Sequence, residues 1–134
     1  MHKTPVRVYY EDTDAGGIVY HSNFLKFAER ARCELLRHLD MECSTITETI
    51  GILFVLKHAD IEYIKPAMLD DLLEVQTRVA SMRNTSFQML QTVHKDGAEI
   101  CRMTITLVCV DAKAIKPVRL PDNLREKFEP YLIN

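Results

Sequence analysis

The spacing of hydrophobic residues changes period along the chain, and each change predicts an element. Val6, Val8 and Tyr10 alternate with Arg7 and Tyr9, which predicts a strand over residues 6–10, with Pro5 suited to a sheet edge. Beyond Asn23, apolar residues recur at Phe24, Phe27, Ala28, Ala31, Leu35, Leu36 and Leu39, the three-four spacing of a helix with one buried face. Lys26, Glu29, Arg30, Arg32, Glu34 and Arg37 fill the opposite, solvated face. A short helix over 44–50 is predicted from a Ser44 cap to a stop at Gly51. Long β-like runs follow at 53–65, 72–82, 87–94 and 99–111. Leu124, Phe128 and Leu132, four residues apart, predict a terminal helix within 121–132 that Pro130 kinks.

Turn chemistry separates the four later runs: Pro66 with Asp70-Asp71, then residues 83–86, then Asp96-Gly97. Short links suit antiparallel neighbours, so these four strands are expected to form an antiparallel meander. The last run is apolar on both sides, which places it inside the sheet or at an interface. The sum is an α+β fold, an antiparallel sheet wrapped on a single long helix.

At 134 residues the chain is expected to form one domain, residues 1–134, long enough to bury about two-thirds of its unfolded surface. With 47% hydrophobic and 27% charged residues, the composition is globular rather than disordered. A net charge of -2 argues against a nucleic-acid surface. No apolar run has the length of a transmembrane segment and the N-terminus lacks the apolar core of a secretory signal, so the expected compartment is cytoplasmic. Cys33, Cys43, Cys101 and Cys109 form no CxxC pair and are expected to be reduced. Neither they nor the five histidines show metal-ligand spacing, so no metal is expected.

The candidate chemistry lies between the first strand and the long helix. Glu11, Asp12 and Asp14 fall within four residues, beside Gly16-Gly17 and just before His21. Such a cluster is compatible with a solvated turn. It is also compatible with catalysis, because a helix start offers unpaired N–H groups and positive potential next to the carboxylates. An aspartate could then serve as base or nucleophile while backbone donors near Tyr20, His21 and Ser22 polarise a carbonyl.

Three other motifs fit less well. A calcium loop starting at Asp12 would need an acid or amide at position 16 and a glutamate at 23, where this chain has Gly16 and Asn23. Asp12 and Asp14 satisfy the Asp-x-Asp of a magnesium-dependent phosphotransferase, but the antiparallel strands do not suit that fold. Ser22 beside His21 lacks the G-x-S-x-G elbow of a serine nucleophile.

The run from Val6 through Glu11-Asp12-Thr13-Asp14-Ala15-Gly16-Gly17-Ile18-Val19-Tyr20-His21, followed by Asn23-Phe24-Leu25 and 27–32, resembles the N-terminal signature of hotdog-fold acyl-CoA thioesterases of the 4-hydroxybenzoyl-CoA thioesterase type. It is most similar to the branch associated with the bacterial Tol-Pal system. The likeness continues through Pro66-Ala67, Leu69-Asp70-Asp71, Met82-Arg83, Cys109-Val110-Asp111 and Lys116-Pro117. The resemblance implies a five-stranded antiparallel sheet around one helix, assembly into homodimers or homotetramers, and active sites between protomers.

It further implies hydrolysis of short- to medium-chain acyl-CoA with no cofactor. Asp14 matches the catalytic aspartate, Asp12 a loop-shaping acid, and His21 the position whose backbone N–H faces the thioester oxygen. Tyr20, Arg83, Thr85 and Ser86 are candidate substrate-binding residues, with Lys116 and Arg119 behind them. Another hotdog lineage carries its catalytic carboxylate on the helix. Here Glu29 is expected to be structural, paired with Arg32 or Arg30. The alternative function is a scaffold that binds acyl carrier protein or Tol-Pal-linked envelope partners, with incidental hydrolysis.

Overall fold

The computed structural model describes residues 1–133. Its strands are β1 (His2–Arg7), β2 (Ile52–Tyr63), β3 (Leu72–Met82), β4 (Ser86–Lys95) and β5 (Ala98–Asp111). Its helices are α1 (Asn23–His38), α2 (Cys43–Thr49) and α3 (Asp122–Phe128). The strands form one antiparallel sheet in the order β1-β3-β4-β5-β2.

Alternation along the strands sorts side chains to two faces. The inner face buries Leu73, Val75 and Val79 of β3, Phe87, Met89 and Val93 of β4, and Met103, Ile105 and Leu107 of β5. The apolar stripe of α1 lies against them, with Phe24, Phe27, Ala28, Ala31, Leu35 and Leu36 all buried. Each large side chain buried in this layer contributes about 1.5–3 kcal/mol. Ala28 and Ala31 extend no further than Cβ, which lets the helix axis approach the strands. Gln91 is the polar node of this layer: its amide nitrogen donates to the Ala28 carbonyl at 2.8 Å and to Thr77 Oγ1 at 3.1 Å.

The expected meander holds for β3-β4-β5 and fails for β2. The link from β2 to β3 is no hairpin, because β2 lies at the far edge against β5 while β1 occupies the other side of β3. Link residues find their partners in the acidic loop instead: Val19 N–H donates to Ala67 O at 2.8 Å and Leu69 N–H to Gly17 O at 2.9 Å. Ala67 is fully buried there. The β4-β5 link is a two-residue hairpin with Asp96 at φ 51° and Gly97 at φ 82°, the type I′ geometry that matches strand twist. Strand β5 is flanked on both sides, in line with its doubly apolar sequence.

Several boundaries differ from the sequence reading. Strand β1 starts earlier and stops sooner, since the chain turns into a short 3-10 segment at Tyr10–Asp12. Helix α2 begins at Cys43 with Glu42 at its N-cap, so Ser44 lies inside it. At Glu129–Tyr131, where Pro130 lies, the terminal helix tightens to 3-10 geometry. Phe128 packs edge-on to Phe87, their ring centroids 5.2 Å apart, so α3 shares with α1 the task of covering the sheet. Among the described residues, no helix is long and apolar enough to cross a membrane.

Candidate active site

Past β1 the chain stays extended to Val8, whose N–H donates to Asp71 O at 2.9 Å and whose carbonyl accepts Asp70 N–H at 3.0 Å. Asp12 then fastens the loop at three points. Its Oδ2 accepts the Tyr9 N–H at 2.9 Å, its Oδ1 accepts the Asn23 side-chain amide at 2.8 Å, and its carbonyl accepts the Tyr20 N–H at 3.0 Å. Asp12 is only 2% exposed, so these bonds replace its hydration. It ties the loop to the first residue of α1.

Asp14 faces solvent at the tip. Thr13 and Val19 bridge across the base of the loop, and Asp14 N–H donates to Ile18 O at 2.9 Å. The carboxylate is held from one side: Oδ1 accepts the N–H of Gly16 at 2.8 Å and of Ile18 at 3.3 Å. Oδ2 accepts no hydrogen bond among the described residues. The two glycines have separate reasons. A Cβ at position 16 would stand 3.3 Å from Asp14 Oδ1, and Gly17 has φ 78°, a region costly for other residues.

The start of α1 supplies donors, fewer than the sequence suggested. Tyr20 N–H is spent on the Asp12 carbonyl, whereas the N–H groups of His21 and Ser22 have no acceptor among the described residues. Tyr63, at the end of β2, donates its hydroxyl to the His21 carbonyl at 3.0 Å and sets its ring edge-on to both His21 and Phe24. That bond fixes the His21 peptide. Sequence reasoning missed Tyr63, because nothing in a strand pattern marks which residue will meet a loop 42 positions away.

These groups line one cleft of about 440 Å³, whose walls include Asp14, Tyr20, His21, Phe24, Tyr63 and Lys65. Lys65 is a cation that sequence reasoning also passed over. Arg83 and Ser86 line a different cleft with Lys57 and Gln88, and Thr85 lies in the same β3-β4 turn, where its carbonyl accepts the Cys109 N–H at 2.8 Å. Within one chain the fold therefore unites Asp14, Tyr20 and His21 and leaves Arg83, Thr85 and Ser86 apart. Arg119 pairs with Asp122 at 3.0 Å.

Glu29 does not pair as expected. Among the described residues no ion pair joins it to Arg32 or Arg30; Arg32 instead donates to Gln91 Oε1 at 3.0 Å. Burial lowers the Arg32 pKa, opposed by the nearby Glu29 charge. No group of three or more His, Cys, Asp or Glu among the described residues is placed to hold a metal ion.

A five-stranded antiparallel sheet wrapped on one long helix, with an acidic loop at the helix start, defines a hotdog-fold protein. The family model of the thioesterase-like superfamily matches residues 8–128. The acyl-CoA thioester hydrolase YbgC of Escherichia coli is 42% identical over 130 residues, 96% of each chain. The acyl-CoA thioesterase YbgC of Haemophilus influenzae is 42% identical over 124 residues, 92% of this chain and 91% of that one. A probable thioesterase from Bartonella henselae superposes with a TM-score of 0.86 at 31% identity, covering 90% of this chain and 98% of the other. The chain thus belongs to the thioesterase-like superfamily and, within it, to the YbgC branch.

Proposed function

We propose that this protein hydrolyses the thioester of short- to medium-chain acyl-CoA, with Asp14 as general base or nucleophile and the His21 and Ser22 N–H groups receiving the carbonyl oxygen. In the base route, a water oxygen attacks the thioester carbon, its proton passes to Asp14, and the C–S bond breaks to release coenzyme A. In the nucleophile route, an Asp14 oxygen attacks the thioester carbon, the C–S bond breaks as coenzyme A leaves as its thiolate, and water then opens the anhydride to the free acid and Asp14. The observation that carries the reading is that an exposed carboxylate with one unengaged oxygen shares a cleft with His21, whose N–H is free at a helix start. His21 adds a side chain that can position the substrate or move a proton, and Tyr20 lines the same wall.

A second copy completes the site in this reading. Strand β2 has a partner on one side only, and an antiparallel pair of such edges places the Tyr63 end of one copy beside the Val55 end of the other. Val55 pairs with Val108, which pairs with Ser86, so that end also carries the 83–86 turn. Arg83, Thr85 and Ser86 of a partner copy would then reach the phosphates of coenzyme A. A homodimer is the smallest assembly of this kind, and a homotetramer two of them. The location proposed is cytoplasmic. The roles proposed for acyl carrier protein and for Tol-Pal-linked partners are those of an alternative donor and of envelope contacts.

Thiol release from a panel of acyl-CoAs tests the reading. Asp14→Asn is expected to lower kcat by about 10²–10⁴-fold, the usual worth of a positioned acid-base group, while light scattering shows an unchanged oligomer. Absence of cleavage by the unaltered protein on every acyl-CoA would overturn it as a coenzyme A activity. The same acyl groups on acyl carrier protein then separate a different donor from a scaffold, and pull-down with Asp14→Asn shows whether binding persists without hydrolysis.

A further inference from the structure

Cys33 on α1 and Cys43, the first residue of α2, hold their sulfurs 3.7 Å apart. All four cysteines are free thiols, and these two are the pair in sulfur contact. They stand together on the wall of a cavity of about 230 Å³, floored by Leu36, Phe54, Phe87, Met89 and Leu107, well along the helix from the Asp14 cleft. We infer that Cys33 and Cys43 form a dithiol site that a peroxide oxidises to an intramolecular disulfide, pinning α2 to α1 across the rim of this cavity.

The geometry needs little change. A disulfide bond is about 2.05 Å long, so the sulfurs must close by roughly 1.7 Å, a displacement that rotation of an exposed side chain at the head of a short helix can supply. Cys43 is exposed and Cys33 half-buried, so an oxidant in solution meets Cys43 first. Burial, reinforced by the adjacent Cys43 sulfur, pushes the Cys33 thiol up to about 11, so Cys33 waits in its protonated form. Burial likewise pushes Cys101 up to about 12 and raises Cys109, and both lie in the core. Neither is positioned to compete.

The step balances with peroxide as the oxidant. The Cys43 thiol gives its proton to solvent and its thiolate attacks one peroxide oxygen; the O–O bond breaks, a sulfenic acid forms, and the departing hydroxide takes up that proton as one water. The Cys33 sulfur then attacks the Cys43 sulfur; the S–S bond forms, the S–O bond breaks, and hydroxide leaves with the Cys33 proton as a second water. Two electrons leave the thiol pair and reduce one peroxide.

Hydrogen peroxide added to the native protein, followed by thiol titration and non-reducing peptide mapping, tests the proposal without any activity assay. Its outcome is therefore separate from that of the thioesterase reading. Expected are the loss of two of the four titratable thiols, a mass lower by two hydrogen atoms per chain, a linked Cys33–Cys43 peptide pair, and full recovery on reduction. Cys33→Ser is expected to halt the reaction at a sulfenic acid on Cys43 that dimedone traps. Sulfinic or sulfonic acid at Cys43 beside an unmodified Cys33 in the native chain would overturn the proposal. So would a disulfide between two chains, or no reaction at either sulfur.

Discussion

Asp12 and Asp14 are two residues apart and live in opposite environments. Asp12 is buried with both oxygens engaged, while Asp14 is exposed with one oxygen unengaged. Removing the buried acid strands the Tyr9 N–H and the Asn23 amide, so Asp12→Ala is expected to lose about 3 kcal/mol of stability by denaturant titration. Tyr63→Phe removes a single hydrogen bond of ordinary strength, worth about 1 kcal/mol, and leaves the ring packing in place. Its expected effect is a roughly five-fold fall in kcat with little change in KM, if the His21 peptide it holds receives the thioester oxygen. The Glu11-to-His21 cluster was legible as a candidate site because its residues are close in sequence. Tyr63 and Lys65 were not, because only strand β2 brings them there.

Helix α1 shows how an element is written locally and fitted globally. Its stripe was readable from spacing alone, since a helix repeats its buried face every three to four residues. The closeness of its approach is set by Ala28 and Ala31, both without exposed surface. Ala31→Leu should force the helix off the sheet and cost about 1–3 kcal/mol, measurable as a lower Tm. Helix α2 and the end of β1 were less legible. The stop of α2 at Gly51 is as predicted, but its start at Cys43 is not, and the end of β1 depends on bonds made further along the chain, such as the Asp12 carboxylate on the Tyr9 N–H.

Among the described residues β2 has one unpaired edge, and along it Val55, Leu56 and Tyr63 are 39%, 46% and 47% exposed. A long edge with apolar side chains is a template for pairing with another strand. Lys57 forms a bulge between Leu56 and His58, so the edge bends midway and the pairing expected here is interrupted at one place. Leu56→Lys is expected to shift the protein to a monomer in light scattering and to abolish thiol release, because Arg83, Thr85 and Ser86 then no longer reach a neighbour's cleft. A monomer with full activity would show that one chain suffices.

The amino-acid order determined the α+β class, the long helix, the four later strands and the acidic loop, because period, turn residues and motif spacing act over a few positions. The adjacency of β3, β4 and β5 was readable from their turns, whereas the places of β1 and β2 were settled by the tertiary structure alone. Residues 64–71 have turn chemistry that reads as a return, yet Ala67 and Leu69 pair with Val19 and Gly17 of a loop far back in the chain. That contact sends β2 to the outer edge beside β5 and delivers Tyr63 to His21. Backbone groups must be satisfied wherever they are buried, and which partner satisfies them depends on what the rest of the fold places within reach.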